Sequence, residues 1–196
     1  MSFKIINNHW TPKTNLFKMP GGEYHINTEN NAPLCDDQYI MVMGGTSDDM
    51  MALCIFADAV HRDGGNPILL LPYLPGARQD RRQTGEALSS KVYADIINGC
   101  NFSSVVCLDP HSDVMPALIN NLTIVPLKQV IILALVEQQV YRDYTGIIIP
   151  DAGAAKRCFE VSQCLELPTY QAYKHRDMST GKLIAERLGV RKLLPT

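Results

Sequence analysis

Three arginines, Arg78, Arg81 and Arg82, stand around Asp80 within five residues, in the stretch Pro72-Tyr73-Leu74-Pro75-Gly76-Ala77-Arg78-Gln79-Asp80-Arg81-Arg82-Gln83-Thr84-Gly85-Glu86. A packed core does not take that density of charge. Arginine clusters suit phosphate, because the planar guanidinium donates paired hydrogen bonds and stays charged. A solvated turn with local Arg–Asp pairing is the plainer reading of the same residues. A second constellation is Asp109 and His111, two residues apart. At a strand end they share a side and offer an oxygen and an imidazole to one cation. Mg²⁺ carried on phosphates needs only one or two protein ligands. A capping aspartate beside a partly buried histidine also fits. Asp151, in Asp151-Ala152-Gly153, carries the same ambiguity between a ligand and a helix N-cap. Lys174 and Arg176 add cations in Lys174-His175-Arg176-Asp177, read as a charged turn. Phosphoryl-type transfer needs such cations where transition-state charge develops.

These clusters need elements to hold them. Residues 39–43 read as a short buried strand, followed by a helix that Thr46 and Asp49 cap and that carries Met50, Leu53, Cys54, Ala57 and Val60 at helical spacing. Residues 68–71 form an apolar run without alternation, the pattern of a strand covered on both faces. A helix marked by Leu88, Val92, Ile96 and Ile97 follows, then an apolar strand at 105–108, a helical pattern within 126–144, a buried strand at 147–149, a helix at 154–165 and a strand at 169–173. Residues 1–26 read as short strands and turns, with Met19-Pro20-Gly21-Gly22-Glu23 as a turn. Alternating apolar strands and helices specify a parallel α/β sheet. In such sheets ligands bind beyond the carboxyl ends of the strands. Each of the four polar clusters follows a strand pattern. The break between two domains is placed near Tyr144-Thr145-Gly146, giving 1–145 and 146–196.

The 196 residues, 46% hydrophobic and 19% charged, are ordinary for a globular protein. A net charge of −2 argues against broad nucleic-acid binding, so any anion site is local. The six cysteines form no CxxC pair and read as buried thiols of a reducing compartment. No signal peptide pattern and no membrane-length apolar run is visible, since Glu137 and Gln138 interrupt 130–140. The expectation is a cytoplasmic, soluble protein. Gly44-Gly45-Thr46 and Ser179-Thr180-Gly181-Lys182 lack the spacing of a P-loop.

The stretch from Pro72 to Arg82 resembles the Pro-Tyr…Ala-Arg-Gln-Asp-Arg signature of ribose-phosphate diphosphokinases (phosphoribosyl pyrophosphate synthetases). The resemblance continues in order through Ser90-Lys91, Leu108-Asp109-Pro110-His111, Pro150-Asp151-Ala152-Gly153…Lys156-Arg157 and Lys174-His175-Arg176, over residues 19–176. It implies two phosphoribosyltransferase-like domains with mainly parallel sheets, the second incomplete here. It implies transfer of the diphosphoryl group of ATP to ribose 5-phosphate, giving phosphoribosyl pyrophosphate and AMP. Arg78, Gln79 and Asp80 would then lie at ATP, with Glu23 from the adenine-loop turn. His111 would hold Mg²⁺ on the ATP phosphates, and Asp151 would serve the divalent cation and the ribose-phosphate end. Lys174 and Arg176 would stabilise the transition state from a catalytic loop. Homo-oligomers built from dimers, commonly hexamers, are implied as well.

Three departures qualify this. The family's Phe-Ser-Asp-Gly-Glu adenine loop is Met19-Pro20-Gly21-Gly22-Glu23 here, without the aromatic. Pro110 and Ser112 replace the usual leucine and alanine beside His111. The aspartate-ended strand and Thr-Gly-Gly-Thr loop that hold the sugar phosphate have no counterpart, and Leu183 runs directly into residues resembling the helix and strand beyond that loop. The expectation is that a piece is missing between Lys182 and Ile184 and again after Thr196, which an intact mass near 21.8 kDa would refute. Two alternatives stand beside the enzyme: a non-catalytic regulatory or nucleotide-binding relative, and a phosphoribosyltransferase-like enzyme acting on a base.

Overall fold

A computed structural model of the protein describes residues 3–6, 13–137, 143–176 and 183–193, with side chains at 4–6, 13–137 and 143–172. The chain divides into two compact units, 1–125 and 126–196.

The first unit is built on a five-stranded sheet. Its strands are β1 (Phe3–Ile6), β4 (Asp37–Val42), β5 (Asn66–Leu71), β6 (Ser104–Leu108) and β7 (Leu122–Val125), in the order β1-β4-β5-β6-β7. β4 to β7 run parallel, and β1 closes one edge antiparallel to β4. The hairpin of β2 (Thr14–Lys18) and β3 (Tyr24–Thr28) stands apart from this sheet and packs on α1 (Ser47–Arg62). Its tip is the turn expected at residues 19–23: the Gly22 N–H donates to the Met19 carbonyl at 2.8 Å, with Gly22 at φ 96°.

α1 begins where Thr46 and Asp49 complete a capping box, the Thr46 hydroxyl accepting from the Asp49 N–H and the Asp49 carboxylate from the Thr46 N–H. Its buried face, Met50, Leu53, Phe56, Ala57 and Val60, meets Ile40, Val42, Leu69 and Leu71 of the sheet. α2 (Ser89–Gly99) adds Ala94 and Ile97, and α3 (Val114–Leu118) adds Met115. β5 alternates between fully and half-buried residues, so the expectation of equal cover on both faces is not met. The apolar helix–sheet layer seals only the side that carries Leu69 and Leu71. α3 and β7 are additions to the sequence reading. Leu122-Thr123-Ile124-Val125 is short and β-branched, and its strand state comes from pairing with β6.

The second unit contains α4 (Leu127–Glu137), β8 (Ile147–Ile149), α5 (Ala155–Leu165), β9 (Thr169–Arg176) and β10 (Leu183–Leu193). β8 and β9 are parallel, and β10 joins β9 antiparallel. α4 packs against α5, which groups it with this unit and moves the division of the chain to 125/126 rather than 145/146. Two local expectations change here. Residues 174–176 belong to β9 rather than to a turn, because their backbone is paired along β10. Residues 184–193 are one strand, not a helix and a strand. β8 is also less enclosed than its Ile-rich run suggests: Ile149 is fully buried while Ile148 is 53% exposed.

Among the described residues, no helix is long and apolar enough to cross a membrane.

Candidate functional site

In a parallel sheet every strand delivers its following loop to the same edge. β4, β5 and β6 therefore present residues 43–46, 72–88 and 109–113 together at their carboxyl ends.

The loop after β5 is anchored at its base and open at its tip. Leu74 and Ala77 are buried in the core, whereas Arg78, Gln79, Arg81 and Arg82 are exposed. Tight backbone bonds shape it, Ala77 N–H to the Leu74 carbonyl at 3.3 Å and Gln79 N–H to the Gly76 carbonyl at 2.9 Å. Gly76 has φ 75°, and a Cβ there would stand 2.6 Å from Cδ2 of Tyr93. Only glycine suits that left-handed turn against an aromatic ring. The Tyr93 hydroxyl donates to the Gly45 carbonyl at 2.8 Å, which ties the loop after β4 to α2. Tyr93 thus steadies two strand-end loops, a role its sequence context does not signal.

The loop after β6 meets the arginine loop through one bond. Ser112 Oγ donates to Asp80 Oδ2 at 2.6 Å. This bond, with help from the nearby charges of Arg81 and His111, holds the Asp80 carboxyl below its ordinary range, against a smaller opposing effect of desolvation. The acid is consequently ionised wherever a cationic loop needs a counter-charge. Asp109 adopts φ 39° at the strand end, and its N–H donates to the Val125 carbonyl at 3.1 Å. Just inside the strand, burial and then the charge of Asp109 raise the Cys107 thiol to about 11, so it stays protonated. His111 is exposed on the same loop. Ser112 was noted from sequence only as a departure from the usual alanine; the bridge to Asp80 joins residues 32 apart and has no local signature.

The remaining expected residues fall elsewhere. Glu23 is exposed at the β2–β3 turn, with no described contact to the arginine loop. Asp151 in the second unit accepts from the Ala154 N–H at 3.0 Å, the N-cap that its Asp-Ala-Gly setting allowed. Lys174 and Arg176 lie on β9, and their side chains fall outside the described residues. Among the described residues no three His, Cys, Asp or Glu side chains converge as a metal cage. The donors present, one imidazole and nearby carboxylates on open loops, fit a Mg²⁺ ion that keeps most of its shell as water and phosphate oxygen.

Fold and site together define an α/β protein in which an arginine-rich loop meets an Asp/His loop at the carboxyl edge of a parallel sheet. Residues 7–100 match the N-terminal domain of ribose phosphate pyrophosphokinase, and over this part the chain is similar to that family. The chain is 28% identical over 159 residues to the ribose-phosphate pyrophosphokinase of Oceanobacillus iheyensis, covering 80% of this chain and 50% of that one. It is 34% identical over 126 residues to the enzyme of the same name from Mycoplasma pneumoniae, covering 62% and 38%. The crystal structure of phosphoribosylpyrophosphate synthetase from Mycobacterium smegmatis shares the fold, with TM-score 0.66 and 17% identity over 89% of this chain and 59% of that chain. The chain spans about half the length of the curated relatives it matches.

Proposed function

We propose that the protein is the ATP-handling part of a Mg²⁺-dependent ribose-phosphate diphosphokinase, transferring the diphosphoryl group of ATP to ribose 5-phosphate with release of AMP. The observation that carries this reading is the Ser112–Asp80 bond, which joins the arginine loop and the histidine loop at one sheet edge. A solvated turn has no need of that bridge. Arg78 and Gln79 extend from the rigid base of Leu74 and Ala77 toward the triphosphate, with Asp80 beside them at the ATP end, held by Ser112. His111 would hold Mg²⁺ on the ATP phosphates, and the ion would supply charge neutralisation there. Glu23 serves the nucleotide from the β2–β3 turn. The anomeric hydroxyl of ribose 5-phosphate attacks the β-phosphorus of ATP, and AMP leaves. Lys174 and Arg176 stabilise the charge that develops in that step, and Asp151 serves the sugar-phosphate end. The working protein is cytoplasmic and a homo-oligomer in this reading.

The test is to incubate the full chain with ATP, Mg²⁺ and ribose 5-phosphate and to follow AMP and phosphoribosyl pyrophosphate together. Both products in equal amounts support the enzyme. ATP binding without AMP release, in folded protein, replaces it with a non-catalytic nucleotide-binding relative.

A further inference from the structure

Away from the charged loops, two sulfur atoms from different helices touch. Cys54 lies on the third turn of α1, and Cys100 caps the C-terminus of α2. Their Sγ atoms are 3.4 Å apart, and both cysteines are free thiols. The two differ in setting. Cys100 is 9% exposed. Cys54 is partly exposed and lines an apolar hollow of about 620 Å³ between α1 and α2, with Met50, Met51, Val92, Tyr93 and Ile96 around it. One thiol faces an entry and the other stands behind it.

Their chemistry differs in the same sense. The single proton of Cys100 has two acceptors, the Ile96 carbonyl at 3.2 Å and the Cys54 sulfur. Turned to Cys54, it stabilises a thiolate there and lowers that thiol to about 7, against the opposing effect of burial. Cys100, buried and beside that thiolate, is pushed well up. Packing alone explains two buried thiols in contact. It does not explain why one of the two thiols opens onto a hollow large enough to admit a small molecule while the other stands in contact behind it.

We propose that Cys54 and Cys100 form an oxidisable dithiol, in which Cys54 reacts with a small hydroperoxide entering the hollow between α1 and α2 and Cys100 resolves the product as a disulfide. The Cys54 thiolate attacks the terminal oxygen of the hydroperoxide. The O–O bond breaks, the alkoxide or hydroxide leaves and takes up a proton, and Cys54 becomes a sulfenic acid. The Cys100 sulfur then attacks the Cys54 sulfur. The S–O bond breaks, and the hydroxide leaves as water with the Cys100 proton. The two thiols together lose two electrons, and the hydroperoxide gains them. Bond formation requires the sulfurs to close by about 1.3 Å from their present separation. The product would join α1 to α2 and reverse with an added dithiol. This inference is independent of the ATP reading.

The experiment uses the full chain, reduced, desalted and treated with one equivalent of hydrogen peroxide, then digested without reductant. The expected main product is a peptide pair joined through Cys54 and Cys100, lighter by two hydrogens than the sum of its halves and separated by dithiothreitol. In Cys100→Ser, where no thiol is left to resolve the sulfenic acid, a dimedone-type trap should label Cys54 in preference to exposed Cys35 or Cys164. Oxidation spread evenly over the cysteines overturns the proposal, as does a wild-type chain that carries Cys54 to sulfinic acid without the cross-link. If Cys100→Ser fails to fold, the wild-type digest decides alone.

Discussion

At the scale of single residues, the bridge from Ser112 to Asp80 is the contact on which the site geometry turns. Ser112→Ala removes the donor and leaves the Asp80 carboxylate to find water or Arg81. Because Asp80 is at the surface, stability should hardly change, and thermal unfolding should stay within a degree or two of wild type. The loss should fall on nucleotide handling: KM for ATP should rise about three- to tenfold, with kcat little changed. Ser112→Thr, which keeps the hydroxyl, should restore it. Equal KM values in Ser112→Ala and wild type would remove the positioning role. The pH dependence has a definite sign. The folded Asp80 carboxyl sits below its ordinary value, so its contribution is complete above the unfolded value, about 3.9, and fades as pH falls through the folded one. ATP affinity measured between about pH 5 and pH 8 should therefore show no step from this group. Lys174→Ala makes the complementary prediction. It should lower kcat about a hundredfold or more while leaving the melting temperature nearly unmoved, since transition-state charge contacts are worth several kcal/mol while the β9–β10 pairing runs through the backbone. A large fall in melting temperature would mean that the Lys174 side chain supports the fold rather than the reaction.

At the scale of elements, helix ends and tight turns hold the strand-end loops in place. Thr46 and Asp49 cap α1 reciprocally just after the loop that Tyr93 ties down. Thr46→Ala should cost about 1 kcal/mol, the usual value of an N-cap, read from chemical denaturation. Gly76→Ala asks for more: a left-handed backbone for an L-residue and a shift of the Tyr93 ring or the loop. It should cost about 1–3 kcal/mol and weaken ATP binding together with stability. A Gly76→Ala variant that is as stable as wild type would mean that the loop reseats freely on α2.

At the scale of the whole molecule, the first unit depends on one apolar layer between α1, α2 and the parallel sheet. Phe56 is completely buried at its centre. Phe56→Ala should cost about 3–5 kcal/mol, through lost burial and the cavity left behind. That is a large share of the 5–15 kcal/mol typical of a domain. Urea unfolding of the variant, followed by circular dichroism, should show an earlier midpoint. An unchanged midpoint would mean that this layer does not limit stability.

Much of this was legible in the amino-acid order because the signals are local. The capping pair at Thr46 and Asp49, the helical spacing of Met50, Leu53, Ala57 and Val60, the apolar runs of β5 and β6 and the turn at 19–23 each act within a few residues, and each formed where expected. The ordered series from Arg78 to Arg176 likewise pointed to a family through motifs read one after another, and the match over residues 7–100 agrees. Tertiary structure decided whatever depends on a partner distant in sequence. Residues 174–176 carry turn-like charges yet became strand because β10 pairs with them. Ser112 acquired a role only when β5 and β6 came side by side and brought it to Asp80. Cys54 and Cys100 lie 46 residues apart and met only through the packing of α1 on α2. Composition and periodicity act through the nearest few bonds, so they set where helices and strands begin and what their loops carry. Which loops and sulfurs face one another is set by sheet order and helix packing, whose energies belong to the assembled core.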